Sequence, residues 1–155
     1  MSGIVSEKLE NLIPVVLHSL IGDYSTLAFK SKPAPWLATP HDFALLPYIC
    51  PNTTLIYAHM GGLFNFEEVV QCATFPNVYL ETSYSIAQIA KRYPLVEYIK
   101  LIGSEKFIFG SDYVPDLTPQ EYWPKPQIEI INGLKLSEQD KSNILYRNAQ
   151  KLLKI

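Results

Sequence analysis

Three short apolar runs in this sequence each end in a side chain able to bind a metal or move a proton. Ile13-Pro14-Val15-Val16-Leu17 leads into His18, and Leu55-Ile56-Tyr57-Ala58 leads into His59. Phe107-Ile108-Phe109 leads through the small-residue turn Gly110-Ser111 into Asp112. Two imidazoles and a carboxylate form a ligand set that suits zinc and other divalent transition metals. The same carboxylate suits a general base. Alone, each has a plainer role, as a hydrogen-bonded structural histidine or a turn aspartate bonding nearby amides. Their recurrence at equivalent places favours a shared site.

The elements that must position them are buried strands. A parallel sheet covered on both faces reads as continuous apolar runs, with polar groups where the strands stop. In (β/α) barrels the catalytic side chains project from the C-terminal strand ends and converge at the mouth. Strands are expected at Pro14–Leu17, Thr54–Ala58, Val78–Thr82 and Phe107–Phe109, alternating with helices, so the chain reads as α/β with a parallel sheet. A helix tail is expected before residue 13. Gly22–Pro40 is expected to be a long loop carrying Lys30, Lys32, Pro33, Pro35 and Trp36. Thr39-Pro40 is a helix-start signal and predicts a helix to about Cys50. Further helices are predicted from Phe64, from Ile86 to Leu101 with an interruption near Pro94, briefly over Ile128–Ile131, and from a capped start at Ser137 to the end. Pro115–Pro126 reads as a second proline-rich loop.

Composition narrows the function classes. With 155 residues, 48% hydrophobic and 18% charged, the chain has the size of one globular domain, taken as residues 1–155. It is short for an eight-unit barrel, which needs about 250 residues. Beginning so near its first strand, it reads as though cut into. A net charge of −2 with scattered lysines and arginines gives no footprint for nucleic acid. No signal-peptide pattern or spanning apolar stretch is present, so no membrane association is expected. Cys50 and Cys72 fit neither a CxxC pair nor a disulfide framework. Buried thiols in the cytoplasm are the expectation.

Taken in order, five segments resemble the C-terminal half of an amidohydrolase-related protein. The branch is that of carboxymuconate-semialdehyde decarboxylase-like and other "amidohydrolase 2" enzymes. The segments are Pro14-Val15-Val16-Leu17-His18, Ala58-His59-Met60-Gly61-Gly62, Asn77-Val78-Tyr79-Leu80-Glu81-Thr82-Ser83, Phe109-Gly110-Ser111-Asp112-Tyr113, and Asn148-Ala149. The resemblance implies a half barrel, the last four units of a TIM-type (β/α)8 barrel. It implies that His18 and Asp112 bind a divalent metal, Zn2+ in the first instance with Mn2+ as the alternative. His59 becomes a second histidine beside the metal, acting as ligand or polariser, and Asp112 also accepts a proton.

The reaction implied is hydrolysis of a C–N or C–O bond in a small-molecule substrate, or non-oxidative decarboxylation. Ser83 and Tyr113 are candidate substrate contacts, with a helix cap and loop packing as their respective alternatives. The family's His-x-His pair at the first strand is absent, since the three histidines are His18, His41 and His59. His41 reads as a solvated first-turn residue. The missing pair implies a partner, either a separate N-terminal half-chain or a second copy forming a homo-oligomer. The competing expectation is a catalytically inactive remnant or interaction module.

Overall fold

The computed structural model describes residues 13–18, 40–62, 66–120 and 123–155. The helix tail expected before residue 13, most of the loop expected over 22–40, and Thr39, Phe64 and Tyr122 lie outside the described residues. Four strands form one parallel sheet in chain order: β1 (Val15–Leu17), β2 (Leu55–Tyr57), β3 (Val78–Glu81) and β4 (Phe107–Ile108). Helices α1 (Leu46–Ile49), α2 (Phe66–Cys72), α3 (Ile86–Arg92) and α4 (Leu95–Ile102) connect them. After β4 come α5 (Pro124–Gly133), α6 (Glu138–Ser142) and α7 (Asn148–Leu153).

The register lines up Leu17, Tyr57, Leu80 and Phe107 as one row across the sheet. All four are buried, facing the helices, where Phe66, Val69, Ile86, Ile89, Ile131 and Ile144 complete the core. Each such burial contributes roughly 1.5–3 kcal/mol relative to exposure. Successive strand residues point to opposite faces, and the neighbouring row, Val16, Ile56 and Tyr79, behaves differently. Val16 is 61% exposed, Ile56 and Tyr79 are half-buried, and none of the three belongs to the core cluster. One face of this parallel sheet is therefore left partly open by the described residues, most of all at Val16, although Ile108 on that face is buried. The sequence predicts burial on both faces. For β1 the difference is plain, since among the described residues it pairs with β2 alone and leaves Val15 43% exposed.

The opposite edge is closed by the C-terminal helices. Between α6 and α7 the chain makes a π turn over Asn143–Arg147, where the Asn148 amide bonds Asn143 O in place of Ile144 O. Ile144 O is thereby released to accept the amide of Phe109 at 2.8 Å. The Asn148 side chain, buried, donates to Ser104 O at 2.8 Å and Phe107 O at 2.7 Å. Backbone groups that an edge strand would leave open are satisfied in this way. Ser137 caps α6 as predicted, its hydroxyl accepting the Asp140 amide.

Two boundaries differ from expectation, both at prolines that stand in first helical turns. The helix predicted to about Cys50 divides into a 3-10 turn (Pro40–Phe43) and the single turn α1, with Pro47 in the first turn of α1. The second proline-rich loop stops at Trp123, because Pro124 and Pro126 sit in the first turn of a ten-residue α5 rather than before a short helix at Ile128. Proline lacks an amide hydrogen, and the first turn does not require one.

Candidate active site

The register carries the chemistry to one end of the sheet. His18 follows Leu17, so alternation turns it toward the open face, and Glu81 lies on that face beside Ile108. After β2, a tight turn over Ala58–Gly61 folds His59 back toward His18. The two Nε2 atoms stand 3.1 Å apart, with the rings edge to face at 87°. His18 is exposed, whereas His59 is only 4% exposed.

The backbone that aims His59 is strained. His59 has φ 56° and Met60 φ 50°, followed by Gly61 and Gly62, also at positive φ. Left-handed geometry costs a residue with a Cβ about 1–2 kcal/mol, and the glycines escape that cost. Four contacts from the last residue of β3 and the segment after it hold His59 in place. Its amide donates to Glu81 Oε2 at 3.1 Å, and its carbonyl accepts from Ser85 Oγ at 2.8 Å. Its ring Nδ1 lies 3.2 Å from Ser83 O and 3.1 Å from Ser83 Oγ, both within hydrogen-bond distance. Ser83 in turn donates to Glu81, its hydroxyl to Oε2 at 2.6 Å and its amide to Oε1 at 2.7 Å. Tyr84 and Asp112 also have positive φ, 58° and 49°, so left-handed residues mark three strand ends. Such outliers gather at functional sites.

Burial pushes the His59 pKa below its ordinary value near 6.5, and the neighbouring His18 pushes it the same way. The bond to Ser83 and the charges of Glu81 and Asp112 oppose that shift less strongly. The neutral imidazole is the form this setting favours.

Asp112 is exposed and near enough for its charge to act on His59. Tyr113, beside it, stacks edge to face on Trp123 at 5.9 Å and is 41% exposed. Ser83 is buried, with its hydroxyl engaged by Glu81 and His59 as described. Sequence reasoning missed Glu81, Ser85 and Gln127. Gln127, buried on α5, accepts the Tyr84 amide at 3.1 Å and donates to Ser111 O at 2.9 Å, joining the β3 turn to the residue before Asp112. The signal for Glu81 was present, a carboxylate one step from the end of the apolar strand expected over Val78–Thr82. Nothing local marked Gln127, because its role depends on where α5 docks.

An amidohydrolase family model matches residues 13–155. The chain belongs to the amidohydrolase family. No curated protein matches it. The family uses divalent metals, so the residues present can be tested for fit. Two nitrogens on one zinc at about 2.0–2.1 Å in tetrahedral geometry stand about 3.3 Å apart, close to the 3.1 Å between His18 and His59. As a pair they fit. Among the described residues, however, no group of three or more His, Cys, Asp or Glu is placed to hold an ion, and catalytic zinc takes three protein ligands. The described residues supply part of a metal site and not a complete one. As for membranes, no helix among them is long and apolar enough to cross one.

Proposed function

We propose that this amidohydrolase-family chain contributes the strand-end chemistry of a metal-dependent hydrolase acting on a C–N or C–O bond of a small molecule. Decarboxylation is the family's other outcome. The observation that carries the reading is the approach of His18 and His59 from consecutive strands to 3.1 Å, with Asp112 close enough to influence His59. His18 and Asp112 are the proposed metal ligands, with Zn2+ preferred over Mn2+. A divalent ion held there would supply Lewis acidity toward water and a substrate oxygen.

The remaining steps fall to the chain's own side chains. Asp112, unencumbered by burial, accepts a proton from attacking water. His59 is held too rigidly to follow a moving substrate and instead presents a fixed Nε2. Tyr113, exposed against Trp123, lines the approach. Ser83 serves the substrate side through His59. We further propose that the sheet is one half of a (β/α)8 barrel, with the missing donors on strands from a second copy or a separate half-chain. The open row of Val16, Ile56 and Tyr79 supports this, since a parallel sheet is ordinarily covered on both faces. A zinc titration by calorimetry tests the ligand assignment. Binding at the wild-type chain that weakens at least tenfold in both His18→Ala and Asp112→Ala supports it. Equal binding in all three would refute it.

A further inference from the structure

The hydrogen bonds around Glu81 decide which kind of group His59 is. A backbone carbonyl only accepts, so the 3.2 Å contact between Ser83 O and His59 Nδ1 places the hydrogen on Nδ1. The Ser83 hydroxyl could oppose or reinforce this, because a hydroxyl both donates and accepts. Glu81 removes the choice. Its Oε2 takes the hydroxyl hydrogen at 2.6 Å, which turns the lone pairs of Ser83 Oγ toward Nδ1 at 3.1 Å. Its Oε1 takes the Ser83 amide at 2.7 Å and so holds the residue whose carbonyl and hydroxyl both face the ring. The same carboxylate takes the His59 amide at 3.1 Å. Three donors converge on one carboxylate, and each belongs to His59 or to the residue that touches its ring.

We propose that Glu81 is a positioning residue that works through Ser83 to hold His59 with its hydrogen on Nδ1 and a lone pair on Nε2. The consequence is chemical. A neutral His59 held this way takes a proton or binds a cation through Nε2, and it does not polarise a substrate carbonyl by donating from that atom. Where His59 was open to either role, the relay selects the lone-pair role. Its use in turnover rests on the functional reading above; the tautomer itself does not.

Gly110 is part of the same device. It lies across from Glu81 on the neighbouring strand end, and a Cβ placed there would collide with Glu81 Oε1 and come within 2.7 Å of its Cδ. Gly110 is not among the positive-φ glycines, so alanine suits its backbone. Gly110→Ala should therefore move the carboxylate while leaving it in the protein, the flexible glutamate end giving way.

The test is long-range 1H–15N NMR of chain labelled at histidine, at pH 8, without metal. With three histidines in the sequence, the His59 signals are assigned by their loss in His59→Gln. The wild-type chain is expected to show a pyrrole-type Nδ1 and a pyridine-type Nε2 at His59. Glu81→Gln and Gly110→Ala, each checked for fold by circular dichroism, are expected to shift both resonances toward each other as the second tautomer becomes populated. Merely structural roles would leave the tautomer alone. A wild-type His59 with its hydrogen on Nε2 would overturn the proposal. So would unchanged His59 shifts in a folded Gly110→Ala, even where Glu81→Gln fails to fold. None of these readouts depends on metal binding or activity, so a failure here is distinct from a failure of the zinc titration.

Discussion

Replacing His59 by alanine and by glycine should invert the usual stability order of those two residues. Both variants lose the imidazole, its bonds to Ser83 and its contact with His18, so the cavity and the lost hydrogen bonds cancel in the difference. What remains is the backbone at φ 56° and ψ 30°. An L side chain there costs about 1–2 kcal/mol, and glycine does not incur that cost. Glycine's greater freedom in the unfolded chain offsets about 0.4–1 kcal/mol of the gain. The balance favours His59→Gly over His59→Ala by roughly 0.5–1 kcal/mol, estimated from those same two quantities. Urea unfolding followed by circular dichroism reads this directly. With a slope of about 2 kcal/mol/M, the glycine midpoint should lie roughly 0.3–0.5 M above the alanine one. An alanine variant equal to or more stable than the glycine variant would refute the claim that the site stores backbone strain.

Three further outcomes follow from buried groups. Asn148→Ala removes both bonds that tie α7 to the backbone around β4 and leaves the carbonyls of Ser104 and Phe107 wanting. Unfolding free energy should fall by about 2–4 kcal/mol, and a loss under about 0.5 kcal/mol would contradict that role. Thr82 Oγ1 is buried with no hydrogen-bond partner among the described residues, so Thr82→Val should stabilise by about 1 kcal/mol in the same assay; a destabilisation of that size would show a partner exists. The His59 pKa is lower in the folded chain than its ordinary value near 6.5, so the unfolded state binds the proton more readily. Stability present above that value should be lost as pH falls through the lower folded pKa. Midpoints measured from pH 8 to 5 should drop in the wild type and drop less in His59→Gln; equal slopes would argue against it.

The strands and their polar endings were legible because an apolar run followed by a histidine or aspartate is a local pattern. So was the cap at Ser137, where the hydroxyl and Asp140 stand three residues apart. The start of α5 was not legible, since Pro124 and Pro126 read alike in a loop and in a first helical turn. The open sheet face was hidden as well: Val16 and Leu17 are equally apolar in sequence, and only the layer of helices distinguishes them. Candidate ligands were visible one by one, while their geometry was not. The left-handed turn at His59 rests on Glu81 and Ser85, more than twenty residues away. No window of sequence around His59 contains those partners.

The central claim is that His18 and Asp112 belong to a metal site completed by strands beyond this sheet. Native mass spectrometry of the wild-type chain with Zn2+ or Mn2+ tests it most directly, because one spectrum reports assembly and metal content together. The account predicts an associated species that retains metal and loses it in His18→Ala and Asp112→Ala. A metal-free monomer at micromolar concentration would contradict the claim that self-association completes the site. If the monomer stayed metal-free with a matching half-chain added, the metal-dependent reading itself would fall.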